Sequence, residues 1–120
     1  MNITRYSLFL RDLLVEARIG IHEFERNAPQ RLAVEIEVDI EPSRVPKCDD
    51  IADALDYDWI RDEVKRLVAG RHFDLQETLV MAIANKLAER PQIVRATVQT
   101  AKPDVYDDVA AVGCRVELRR

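Results

Sequence analysis

Glu25, Tyr57, Glu77 and Lys102 are the side chains whose types and positions could do chemistry. Lys102 precedes Pro103, and a proline biases the residue before it toward extended backbone. A lysine held this way at a strand end can serve as general acid or base if burial or a cationic neighbour lowers its pKa. By residue type alone it reads as an exposed turn lysine. Glu77 falls in the first turn of an expected helix, where a carboxylate ordinarily caps the helix or answers its dipole. Its functional reading is a carboxylate accepting two parallel N–H bonds from a flat, guanidine-like ring edge. Tyr57 stands between Asp56 and Asp58 at another expected helix start; alone, it is a packing aromatic with a satisfied hydroxyl. Glu25 ends the run Ile19-Gly20-Ile21-His22-Glu23-Phe24-Glu25 just after a strand, and alone is a surface carboxylate.

Other chemistries find less support. His22 beside Glu23 and Glu25 invites a metal reading, but the chain has 2 histidines and no closed ligand set, so no metal and no cofactor are expected. Cys48 and Cys114 are far apart and read as thiols of a cytosolic protein, with Cys114 a small core residue. A net charge of -4, from 18 basic and 22 acidic residues, lacks the basic stripe of a nucleic-acid binder. There is no apolar run long enough for a membrane span and no signal-peptide pattern at Met1–Arg5. The expected location is the cytoplasm.

The elements that must hold these residues follow from periodicity. The 120 residues fit one domain, spanning 1–120. A first strand region runs from about Thr4 to Ile21. Leu8 and Leu10 alternate, then Leu13, Val15, Ala17 and Ile19 continue on the other parity, so a bulge is expected near Asp12. In the second strand Leu32, Val34, Ile36, Val38 and Ile40 alternate with an acidic set, Glu35, Glu37, Asp39 and Glu41. That acidic face reads as solvated sheet surface or as the wet wall of an assembled barrel. A helix near Asp56–Asp58 carries Ile60, Val64, Leu67 and Val68 on one side and stops at Gly70. A second begins at Asp74, which has capping-box spacing to Glu77, and shows a Leu79, Ile83, Leu87 stripe before Pro91. Val94, Ala96 and Val98 mark a third strand, and Val112, Cys114, Val116 and Leu118 a fourth. The order implies an α+β fold: an antiparallel sheet with both helices on one face.

Read together and in order, these segments resemble the dihydroneopterin aldolase family. The resemblance is carried by Ile19-Gly20-Ile21-His22-Glu23-Phe24-Glu25-Arg26 with Gln30, by Asp53-Ala54-Leu55-Asp56-Tyr57, by Leu75-Gln76-Glu77-Thr78-Leu79 with Ile83-Ala84, by Lys102-Pro103, and by Val112-Gly113-Cys114-Arg115-Val116-Glu117. It covers nearly the whole chain. It implies a tunnelling fold, a four-stranded antiparallel sheet in ββααββ order. It also implies a homo-oligomer, a tetrameric ring or an octamer of two rings, with sites between adjacent subunits. The implied reaction is cofactor-free retro-aldol cleavage of a pterin, 7,8-dihydroneopterin, to 6-hydroxymethyl-7,8-dihydropterin and glycolaldehyde in folate or related biosynthesis. In that scheme the residue at Glu77 anchors the ring edge. Those at Lys102 and Tyr57 handle protons, and Glu25 lies near the reacting side chain. Leu75 and Thr78 complete the pocket.

Two departures stand out. The turn after Lys102-Pro103 reads Asp104-Val105-Tyr106-Asp107-Asp108, where the family often has small residues. Val80 and Met81, also at places where small or polar residues are common, read as core choices. The nearest rival function is epimerisation at C2′ by the same residues; a triphosphate substrate would call for basic side chains at the pocket mouth, with Arg26, Arg31 and Arg71 as candidates. A rival of another class is a non-catalytic pterin binder or ring scaffold.

Overall fold

The alternating segments pair as antiparallel strands. In the computed structural model, which describes all 120 residues, β1 (Tyr6–Ala17), β2 (Gln30–Ile40), β3 (Ile93–Lys102) and β4 (Val112–Arg119) form one sheet in the order β1-β2-β3-β4. A single helical turn, α1 (Glu23–Arg26), lies between β1 and β2, while α2 (Tyr57–Gly70) and α3 (Gln76–Ala88) lie between β2 and β3. The expected α+β architecture is therefore present, with α1 as an addition. Its apolar content is too small for periodicity to reveal.

The core forms between one face of the sheet and the stripes of the two long helices. Leu32, Val34, Ile36, Val38 and Ile40 are buried against Ile60, Val64 and Val68 of α2 and Leu79, Val80, Ile83, Ala84 and Leu87 of α3. Burying each such side chain stabilises the fold by about 1.5–3 kcal/mol. Met81, by contrast, is partly exposed rather than a core residue. Cys114 is half-buried and Cys48 exposed, and both are free thiols.

Two register shifts decide which side chains enter the core. In β1, Leu10 pairs with Ile36 and Leu13 with Val34, so one extra residue bulges out, and Asp12 takes the left-handed φ of 54°. This is the parity switch that the pattern predicts. Between β2 and β3, Asp39 faces Arg95 but Ile40 faces Ile93. Val94 is skipped, so Ile93 fills the core position that alternation alone assigns to Val94.

Helix starts also differ in detail. Asp56 caps α2, its carboxylate accepting the Asp58 N–H at 2.9 Å. α3 begins one residue too late for Asp74 to cap it: Leu75 is the N-cap and offers no side-chain acceptor. The Asp74–Glu77 capping box does not form, and Asp74 accepts instead from Arg26 at 2.9 Å.

β1 ends at Ala17, short of the expected Ile21, but the chain beyond it stays fixed. Ile19 bridges Phe73 in parallel; the Phe73 N–H donates to Arg18 O at 2.8 Å and the Gly20 N–H to Phe73 O at 2.9 Å. This stitch holds the segment leading into α1 against the one leading into α3.

The sheet face away from the helices carries the acidic set, and it is not bare. Arg95, nearly buried, reaches Asp39 at 2.8 Å, Glu37 at 2.9 Å and Glu117 at 3.1 Å. The Arg95 guanidinium holds the Asp39 carboxyl well below the usual range despite its partial burial. β1 and β4 leave their outer edges unpaired. No helix is long and apolar enough to cross a membrane.

Candidate active site

The site grows from the end of β3. Lys102 is its last residue and shares parity with Ala96, Val98 and Thr100, so its side chain turns to the helix side. It is 9% exposed, not the open turn lysine that residue type suggests. Its Nζ donates to Glu25 Oε2 at 2.6 Å.

Glu25 comes from α1 and is 5% exposed. Besides Lys102, its carboxylate accepts from Gln30 Nε2 at 2.9 Å and from the His22 N–H at 3.3 Å. Burial would push this carboxyl up; the donors Lys102, Gln30 and His22 outweigh it and hold the carboxyl at about 2, against an ordinary 4.5. Room for the carboxylate exists because residue 20 is glycine. Gly20 has φ +127°, which side chains rarely adopt, and a Cβ there would collide with the Glu25 carboxylate itself.

The Glu25–Lys102 pair opens onto a cavity of about 390 Å³. Glu77 and Leu75 line it from the start of α3, Phe24 and Ile21 from the α1 segment, and Val105 and Tyr106 from the turn after β3. Glu77 is exposed in the first turn of α3. Its turn is fastened by Gln76, which accepts from Thr100 Oγ1 at 2.8 Å and donates to Val112 O at 3.3 Å. Each of α3, β3 and β4 thus bears on where Glu77 sits.

The charge of the wall is uneven. Lys102 is the only lysine or arginine lining the cavity, facing Glu25, Asp74, Glu77 and Asp104. The arginines considered for phosphate are engaged elsewhere: Arg26 with Asp74, Arg31 with Asp104 at 3.1 Å, and Arg71 stacked 4.2 Å from the Phe73 ring. No group of three or more His, Cys, Asp and Glu side chains has metal-binding geometry.

The structure thus joins Glu25, Lys102, Glu77 and Leu75 around one cavity. Two sequence candidates stay outside it. Thr78 is exposed beside Glu77 but does not line the space, and Tyr57, 57% exposed at the start of α2, lies apart. Gln30 and Gly20 carry no individual role in the sequence reading. Gln30 heads β2 with nothing but an amide to mark it, and the only sign at Gly20 is a glycine closing a strand-like run.

Chemically, the arrangement offers a dry acid–base pair at one end of a cavity and a solvent-facing carboxylate at a helix start near the other. The first can move protons and the second can accept parallel N–H bonds from a planar ring.

Comparison with known proteins agrees with that geometry. The family model described as dihydroneopterin aldolase matches residues 8–117. The dihydroneopterin aldolase of Escherichia coli K12 is 30% identical over 110 residues, covering 92% of this chain and 90% of that protein. A crystal structure of dihydroneopterin aldolase from Burkholderia thailendensis, bound to guanine, superposes with a TM-score of 0.87 at 32% identity, covering 97% of this chain and 92% of that one. The E. coli enzyme in complex with neopterin gives a TM-score of 0.87 at 29% identity, with 94% and 98% covered.

Proposed function

Since the chain belongs to the dihydroneopterin aldolase family, we propose that its cavity takes a pterin ring and that Glu25, Tyr57, Glu77 and Lys102 carry out the cleavage. The enzyme is an aldehyde-lyase: it splits 7,8-dihydroneopterin into 6-hydroxymethyl-7,8-dihydropterin and glycolaldehyde, a step of folate biosynthesis.

The observation that carries the reading is the Glu25–Lys102 pair, 2.6 Å apart at the wall of the cavity that Glu77 also lines. A base takes the proton of the 2′-hydroxyl. The C1′–C2′ bond breaks, C2′ and C3′ leave as glycolaldehyde, and the bonding electrons flow into the adjacent ring imine. A proton delivered to C1′ restores the imine and completes the product. The substrate is its own electron sink, so proton movement and a ring clamp suffice. In this reading Glu77 accepts the parallel N–H bonds of the pterin's N3 and 2-amino edge. Leu75, Phe24 and Tyr106 face the ring, and Thr78 flanks the clamp. Lys102, with Glu25 beside it, exchanges protons with the side chain of the substrate.

Tyr57 enters from a second copy of the chain. Unpaired strands β1 and β4 supply edges through which copies can join, and the chain acts as one domain of a homo-oligomer working in the cytoplasm. The crowding of carboxylates around a single lysine favours an uncharged side chain over a triphosphate, which would meet Asp74 and Asp104 without a free arginine.

The test is turnover of 7,8-dihydroneopterin by the purified protein, with glycolaldehyde measured directly. Release of glycolaldehyde supports cleavage. Isomerised substrate without it would mean an epimerase, and unchanged substrate with retained pterin binding would mean a binder.

A further inference from the structure

Gln30 stands where Glu25 meets the stitch between the β1 exit and the entry to α3. Its Nε2 carries two hydrogens, and the structure uses both. One donates to the Ile19 carbonyl at 2.6 Å and the other to Glu25 Oε2 at 2.9 Å. Each partner is an acceptor only, so the amide has a single workable orientation. The Ile19 backbone is fixed in turn by its bridge to Phe73. Glu25 Oε2 is therefore held by two donors, a mobile one on Lys102 and a fixed one on Gln30.

We propose that Gln30 is a positioning residue for the cleavage, keeping Glu25 a carboxylate, in one orientation, while Lys102 turns from it to the substrate. Lys102 cannot serve the substrate side chain and remain fully bonded to Glu25. When its ammonium moves, Oε2 retains the Gln30 donor and Oε1 the His22 N–H. Glu25 then neither swings after Lys102 nor picks up a proton, and Lys102 returns to an unchanged partner. Without Gln30, burial would favour the neutral acid as soon as Lys102 left. The other ionisable groups around the cavity are His22, Asp74, Glu77, Asp104 and Tyr106, with His72 bonded to the Gly20 carbonyl at 2.8 Å. None of these donates to Glu25 through its side chain.

This inference rests on the proposed cleavage, so its test includes a readout independent of turnover. Gln30→Met keeps the length and loses both donors; Gln30→Glu replaces a donor with a like charge. In Gln30→Met, kcat for 7,8-dihydroneopterin is expected to fall about 10–100-fold, the scale of one hydrogen bond to a charged group. Neopterin affinity stays at the wild-type level, because Glu77 holds the ring. The acid limb of the kcat profile moves to higher pH, further in Gln30→Glu than in Gln30→Met. In the substrate-free protein, carbon-13 NMR of the Glu25 carboxyl follows the same order. Wild-type kcat and an unmoved acid limb in Gln30→Met would overturn the proposal. So would a loss of thermal stability and of pterin binding with Glu25 titrating as in wild type, which would make Gln30 a structural residue. If Gln30→Met does not fold, the Gln30→Glu titration decides in the same way. If the wild-type protein releases no glycolaldehyde, the cleavage reading fails while the carboxyl titration still judges Gln30.

Discussion

Replacing Lys102 by Met removes the principal countercharge of a buried carboxylate and leaves its other donors in place. The cost can be sized from Glu25. Its carboxyl lies at about 2 in the fold against an ordinary 4.5, and at about 1.36 kcal/mol per pH unit that gap amounts to at most roughly 3 kcal/mol. The pKa is depressed in the folded state, so this stability is fully present above pH 4.5 and disappears as pH falls toward about 2. With Lys102 gone, desolvation works against only Gln30 and the His22 N–H, and most of that stability at pH 7 is lost. For a domain of this size, the expected drop in Tm is about 10 °C. Adding Glu25→Gln to Lys102→Met removes the orphaned charge and should return half or more of the lost Tm. Activity should fall about 10²–10⁴-fold in both variants and not recover in the double one. Thermal unfolding at pH 7 and pH 4, at one fixed protein concentration, reads the first part; glycolaldehyde release reads the second. A Lys102→Met protein that melts with the wild type at pH 7, or a double variant with no regain, would refute the assigned energetics of the pair.

Further expectations concern the clamp and the space around it. Glu77→Gln keeps the shape and loses the charge, so KM for 7,8-dihydroneopterin should rise about 10–100-fold with a smaller change in kcat, measured by steady-state kinetics. Gly20→Ala imposes backbone strain of about 1–2 kcal/mol and displaces the Glu25 carboxylate, so melting temperature and activity should fall together. Gly70→Ala is its control: nothing lies within 4 Å of a Cβ there, and stability should hold or rise by about 0.5–1 kcal/mol. Tyr106→Ala removes a ring from the cavity wall and should raise KM while leaving kcat near wild type, which the same kinetics test.

The fold was largely written in alternation. The period-2 pattern of β2 and the i, i+4 stripe of α2 are properties of neighbouring residues, so they survive without tertiary information. Even the bulge at Asp12 shows as a parity switch. Val94 shows the limit: the register between β2 and β3 slips by one residue, and only the pairing of distant segments reveals it. Asp74 missed the capping position for a similar reason, since a tertiary partner, Arg26, claims its carboxylate. At the site, types and spacing named Glu25, Glu77 and Lys102, but isolated residues carry no burial. Lys102 looked exposed because its covering partner lies 77 positions away in sequence. Gly20 and Gln30 were hidden because their significance is a contact, one an absent Cβ and the other an amide with two fixed acceptors.

A crystal structure with neopterin bound tests the central claim most directly. The expected density places the pterin in the cavity, its N3 and 2-amino edge donating to both Glu77 oxygens, its side chain within hydrogen-bond reach of Lys102 Nζ, and Tyr57 arriving from a neighbouring copy. A pterin bound away from Glu77, or one whose side chain points from the Glu25–Lys102 pair into solvent, would contradict it.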